Sequence, residues 1–315
     1  MESFLIAVNA VVPFILYMAY GYLFRHLGYG DDVFYKRLNA LVFRAFFPLL
    51  MFNNLYTANL DFQSNARLVG FFLILLLSII LMTTILVPRF LKDPRRIPVM
   101  NQSVWRSNTL MFAYPLAVTM YGDEAGALAS IIIASMVPVY NVVAVCLFTY
   151  YSHDQNTHVN IKKLVRDIIT NPLIVGALVG ALFKFLGIHL PGAVEKPITA
   201  FASMTTPVAI FILGATLELP EIKKNLPYIF SALSLKLIIV PAIVIAVAYT
   251  FGLRKQELFL CFILYATPVA NAAYAMAENM GGDGELQGQI LAFSSVLSIV
   301  TLFFWIMGAH QVGLF

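Results

Sequence analysis

The chain predicts an all-α polytopic membrane protein: ten transmembrane helices in two inverted five-helix repeats, with crossed, proline-broken helices four and nine. Three observations carry that prediction. Of 315 residues, 60% are hydrophobic and only 11% charged, against about 25% charged in soluble domains. Ten stretches are long and apolar enough to cross a bilayer, which takes about 20 such residues each. Short patterns in the first half of the chain return in the second.

The spans are expected at 4–24, 38–57, 68–90, 102–121, 126–150, 166–187, 197–217, 227–251, 256–279 and 286–308. The longest connection is the polar stretch after the fifth. It divides the chain into a first repeat (1–151), a connecting loop (152–165) and a second repeat (166–315). The first thirty residues lack a basic start and a small-residue cleavage site, so they read as a retained first helix. Basic residues gather in cytoplasmic loops. Placing both termini outside the cell membrane puts twelve Lys and Arg in cytoplasmic loops and five in outer ones; the reverse orientation inverts the bias.

Composition also excludes. The net charge of +4 is small and dispersed, with no basic block to engage nucleic acid. Cys146 and Cys261 stand far apart in apolar runs and read as buried small hydrophobes, not as a disulfide or metal site. No motif points to a cofactor. An intramembrane enzyme needs paired carboxylates or a nucleophile beside a base within the spans. The Asp and Glu residues fall instead at span ends or in loops, and no HExxH motif occurs. The chain is therefore not expected to be an enzyme.

Five spans per half is an odd number, so duplicated halves insert with opposite orientation, as in many secondary transporters. "FFPLLMF" places Pro48 four residues before Phe52, and "TTPVAIF" places Pro207 four before Phe211. "AYPLAVTMYGDE" has Pro115 before a Gly-Asp-Glu hinge, and "ATPVANAAYAMAENMGGDGE" has Pro268 before Gly-Gly-Asp-Gly-Glu. A mid-span proline removes a backbone donor and is tolerated in lipid only where something else satisfies the freed carbonyl. Two such prolines at matching places predict broken helices crossing near the midplane, with half-helix N-termini facing an anion.

Candidate substrate-binding residues cluster around the two breaks: Asn108, Thr109, Tyr114, Pro115, Thr267, Pro268 and Asn271. Asn141 within the fifth span and Asn171, which with Pro172 opens the sixth, add amides at mid-span and helix-kinking positions. Each amide also has a plain structural reading, as interhelical glue or a cap beside a proline. Lys236 lies about ten residues into the eighth span, roughly 15 Å deep, where a charge is costly and marks function by default. It either attracts an anion or docks onto carbonyls freed by the breaks. Arg44 and Arg106 are placed nearer span ends, where long side chains snorkel.

Taken together, "VVPFILYMAYGYLFRHLG", "FFPLLMF", "SNTLMFAYPL" with "MYGDEAG", "NPLIVGALVG", "FILGATLE", "LKLIIVPAIV" and "AENMGGD" resemble the auxin efflux carrier family, which includes plant PIN-FORMED auxin carriers and bacterial malate permeases. The resemblance covers nearly the whole chain. It implies crossed fourth and ninth helices, a scaffold of spans one, two, six and seven that forms a homodimer, and a moving part made of the rest. It also implies substrate contact at Asn108 and matches Asn171, Pro172, Pro115, Pro268 and Lys236 to family positions. The short loop between the halves departs from plant members and sides with the bacterial ones.

The function these readings imply is a permease for a small organic anion, such as a carboxylate, working by alternating access. No carboxylate or His sits at a span centre to carry a proton, so efflux driven by the membrane potential is expected. The alternative is a proton- or sodium-coupled carrier of organic acids on the same fold.

Overall fold

The computed structural model describes residues 2–57, 62–151, 166, 169, 170, 172–216 and 225–315. The connecting loop expected at 152–165 and the candidate Asn171 lie outside them. The described chain is helical throughout, and its one β-feature is an isolated antiparallel bridge between Ser107 and Val269.

In order, the helices are α1 (Glu2–His26), α2 (Asp32–Thr57), α3 (Phe62–Phe90), α4 (Ile97–Trp105) and α5 (Thr109–Tyr151). They continue with α6 (Pro172–Phe185), α7 (Gly192–Ala215), α8 (Leu226–Thr250), α9 (Lys255–Ala266), α10 (Asn271–Asn279) and α11 (Gly284–Gln311). Among the described residues, six are long and apolar enough to cross a membrane: α2, α3, α5, α7, α8 and α11. Helices prevail because lipid offers no partner for an unpaired backbone group. α5 is two helices joined at a kink. Gly122 there has φ 75° and ψ −168°, a conformation open to Gly because it lacks a Cβ.

Three helices contain a wide π-turn: Val42–Phe46 in α2, Thr109–Ala113 in α5 and Leu235–Ile239 in α8. Each ends two residues before a proline: Pro48, Pro115 and Pro241. A proline lacks an N–H, and its ring crowds the carbonyl four residues back. One extra residue in that turn moves the carbonyl aside and lets the helix continue. Pro13, Pro138 and Pro207 sit inside helices with no such turn just before them, so a proline alone does not dictate it.

Side-chain hydrogen bonds between described residues from different helices fall into two groups. In the first, Arg25 donates to the Ala215 carbonyl (2.8 Å), Leu190 N–H to the Tyr56 hydroxyl (2.9 Å) and Thr199 to Asn53 (3.1 Å), joining α1, α2, α7 and the α6–α7 connection. Glycines tighten this group. A Cβ on Gly21 or Gly214 would overlap backbone carbonyl oxygens across the α1–α7 contact, at Phe211 and Met18. One on Gly176 or Gly180 would overlap those of Pro48 and Phe52 across α2–α6. Small residues are what let membrane helices approach so closely.

The second group joins α3, α4, α5 and α8 to α11. Gln102 donates to Gln287 (2.9 Å), Gln287 to Ser103 (3.0 Å), Tyr265 to the Phe72 carbonyl (2.8 Å) and Asn225 to Gln289 (2.8 Å). At one end, Arg96 pairs with Asp283 at 2.8 Å. Burial works against the Arg96 charge, but Asp283 together with Tyr228 more than offsets it and raises the guanidinium above its usual range. Among the described side chains, Asn54 is the one polar bridge between the two groups.

Candidate functional site

Two helices are interrupted, and the interruptions meet. α4 stops at Trp105, three residues leave the helical conformation, and α5 begins at Thr109. α9 stops at Ala266, and α10 begins at Asn271. Across the gap, Asn108 N–H donates to the Pro268 carbonyl (2.8 Å) and Ala270 N–H to the Arg106 carbonyl (3.1 Å). Val269 N–H donates to Ser294 Oγ (3.1 Å). These bonds do for two broken helices what a ladder does for strands: they satisfy the main chain where no helix can. Both second halves start at this crossing, so two helix N-termini with their partial positive charge open beside it.

One expectation is corrected. The first helix does not break at Pro115. The interruption is Arg106–Asn108, about two turns upstream, and Pro115 lies in continuous helix behind the π-turn Thr109–Ala113. Asn108 therefore does not share a helix face with Pro115. It is the N-cap of α5, its Oδ1 accepting from Met111 N–H at 3.4 Å. Pro268, by contrast, does sit inside the second interruption.

A second correction concerns Arg106. It does not snorkel: it is 4% exposed, and its guanidinium donates to Asn141 Oδ1 (2.7 Å) and to Met276 Sδ (2.8 Å). The reason is a boundary. α4 starts at Ile97 rather than near residue 102, which carries Arg106 down to the crossing. Lys236 is fully buried and donates to Ser107 Oγ, inside the same interruption. Two buried basic side chains thus flank one crossing. Among the described side chains, no carboxylate pairs with either; the ion pairs there are Arg25–Asp32, Arg96–Asp93 and Arg96–Asp283. Five polar atoms of the described side chains are buried without a partner, among them Asn108 Nδ2, Thr267 Oγ1 and the Tyr140 hydroxyl.

The expected site residues separate into two places. Asn108, Thr109, Asn141, Lys236, Thr267, Pro268 and Asn271 lie at or around the crossing. Tyr114 and Pro115 line a cavity of about 550 Å3 between α1, α2, α7 and the first part of α5. Asn53, Asn54, Thr199, Ser203 and Thr206 give this cavity amides and hydroxyls, and Asp123 and Glu124 border it. Arg44 is exposed. Arg106, Ser107, Asn54 and Ser130 were not anticipated as site residues. For Asn54 the signal was present: two adjacent amides in the apolar run "LMFNNLY".

Residues 6–306 match the family described as membrane transport protein. The chain belongs to that family, which includes auxin efflux carrier-like proteins. It is also similar to an "Uncharacterized transporter" of Methanothermobacter thermautotrophicus, with 22% identity over 310 residues, covering 96% of this chain and 98% of that protein. This membrane transport protein is multi-pass, and its family and apolar helices make it a transporter. In such a protein, backbone is left irregular at depth where it is buried in protein or lines a cavity, and the crossing here is of that kind.

Proposed function

We propose that the protein carries a small organic anion, a carboxylate in the first instance, across the cell membrane by alternating access around the crossing. One observation carries this reading: Arg106 and Lys236 are buried at the crossing with no described carboxylate to neutralise them. A buried charge is costly, and an anionic cargo placed beside these two would relieve that cost. The helix N-termini and the free amide of Asn108 add donors to the same place.

The proposal includes ten crossings in two inverted repeats. α4 with the start of α5, and α9 with α10, each make one interrupted crossing, and Gly122 divides α5 into two. Equivalent positions support the repeat. Gly180, Pro207 and Phe211 follow Gly21, Pro48 and Phe52 by one constant interval, and so does Gly281 (φ 76°) after Gly122 (φ 75°). Gly21 approaches the Phe211 carbonyl as Gly180 approaches that of Phe52. Both termini lie outside in this reading. It also keeps α1, α2, α6 and α7 as the scaffold through which two copies pair.

Uptake of labelled mono- and dicarboxylates into proteoliposomes tests the reading. The unaltered protein carries at least one of them, and Lys236→Met and Arg106→Gln lose that flux. Equal flux in both variants contradicts it. A proton- or sodium-coupled carrier is the second reading. The carboxylates of Asp123 and Glu124 at the cavity border favour it, and an ion gradient that drives flux without a potential would establish it.

A further inference from the structure

Alternating access needs one body to slide against another, and the contacts between the two hydrogen-bonded groups are of a kind that allows it. Phe4 of α1 meets Phe303 of α11 edge to face, with ring centroids 5.7 Å apart. Leu50, Val118 and Ile210 line the cavity between the groups. Apolar surfaces exchange neighbours without stranding a polar group. Asn54 of α2 is the exception. Its Oδ1 accepts from the Tyr114 hydroxyl at 3.0 Å, and its Nδ2 donates to Ser130 Oγ at 2.8 Å. Ser130 Oγ in turn donates a hydrogen bond to the Gly126 carbonyl, 2.8 Å away. Tyr114 and Ser130 stand on opposite sides of the Gly122 kink, so one amide holds both arms of α5 against the scaffold. Tyr114 is 8% exposed and Ser130 fully buried, while Asn54 between them is half-buried.

We propose that Asn54 is the latch between the two bodies: its amide holds them in the conformation with the cavity between α2, α5 and α7 open, and breaking its two bonds frees the moving body to slide. The inference rests on the transporter reading for its purpose, but its geometry requires no particular cargo. The latch faces the cavity, because Asn54 and Tyr114 both line it.

The test uses cysteine labelling in open membrane fragments, with no cargo present. Leu213 lies on α7 one turn beyond the cavity residue Ile210 and is 5% exposed. In a Cys146→Ser background, Leu213→Cys reacts only through states that uncover it, so its rate scales with their population. Asn54→Leu and Tyr114→Phe are each expected to speed that labelling by about fivefold or more, the population shift from losing an interhelical hydrogen bond. Tyr56→Phe, which removes a bond within the scaffold only, leaves the rate as it was. Cys261 is fully buried in the moving body and stays unlabelled while the fold is intact. Rates within about twofold of the parent in both variants overturn the proposal. So does equal acceleration at Cys261, which reports general loosening rather than release of a latch. Because no cargo enters the assay, failure of the anion-transport reading leaves its outcome intact, and the reverse holds too.

Discussion

Lys236 is fully buried in an apolar helix and donates to one hydroxyl. A residue kept for stability would not be so poorly paired, since a lone buried charge opposes folding. The two roles therefore separate cleanly. Lys236→Met is expected to lower anion flux by about tenfold or more, the value of a hydrogen bond to a charged group, while the unfolding temperature in detergent holds or rises. A variant that melts earlier and transports normally would make Lys236 a structural prop. Asn108 gives a parallel case, because its Nδ2 is buried without a partner. Asn108→Ala should weaken anion binding by about 1–3 kcal/mol with little change in yield; normal binding together with a much lower melting temperature would make it a cap alone. The sequence displayed Lys236 plainly, since a lysine amid "LSLKLIIVP" is hard to overlook. It hid Arg106, because Pro98 and Asn101 make residues 97–101 read as loop, which moved the span boundary past the arginine's true depth.

The interrupted helices show what local chemistry encodes and what it does not. Proline announces itself, and the sequence led to Pro268 inside one interruption. The other interruption, Arg106-Ser107-Asn108, contains neither proline nor glycine. It is held open by bonds to Pro268 and Ala270, a tertiary cause with no local signature. Pro115 accordingly should be dispensable for the break: Pro115→Ala is expected to keep flux within about threefold of the parent, since it restores one helical donor and leaves the crossing bonds alone. A loss as deep as that of Asn108→Ala would put the break back at the proline. Glycine is similarly uneven. Gly180→Ala sets a methyl against the Phe52 carbonyl and should cost about 1–3 kcal/mol, as overpacking does. Gly70→Ala meets nothing within 4 Å and should gain about 0.5–1 kcal/mol from helix propensity. Thermal unfolding of the two variants measures both, and equal effects would refute the close α2–α6 approach.

Across the whole molecule, hydropathy made nearly every helix legible, because in lipid the chain has few alternatives to helix. The grouping of helices was not legible from periodicity; it depends on which side chains find one another across distant parts of the chain. Contacts between helix ends pair ends that the proposed topology puts on one side: Arg25 reaches Ala215, and Arg96 reaches Asp283. Cysteines at Lys92 and Asp283 should thus label from the same side and Glu124 from the other; labelling of all three from one side would break the topology. In the proposed mechanism, positive charge at the crossing draws an anion whose movement carries net charge. Moving one charge is worth about 2.3 kcal/mol per 100 mV, roughly fiftyfold in distribution. The direct measurement is carboxylate flux in proteoliposomes under a potassium–valinomycin potential, with and without a proton or sodium gradient. The account predicts flux that follows the potential, reverses with its sign and persists when the ion gradients are abolished. Flux that ignores the potential and follows the proton or sodium gradient would contradict it.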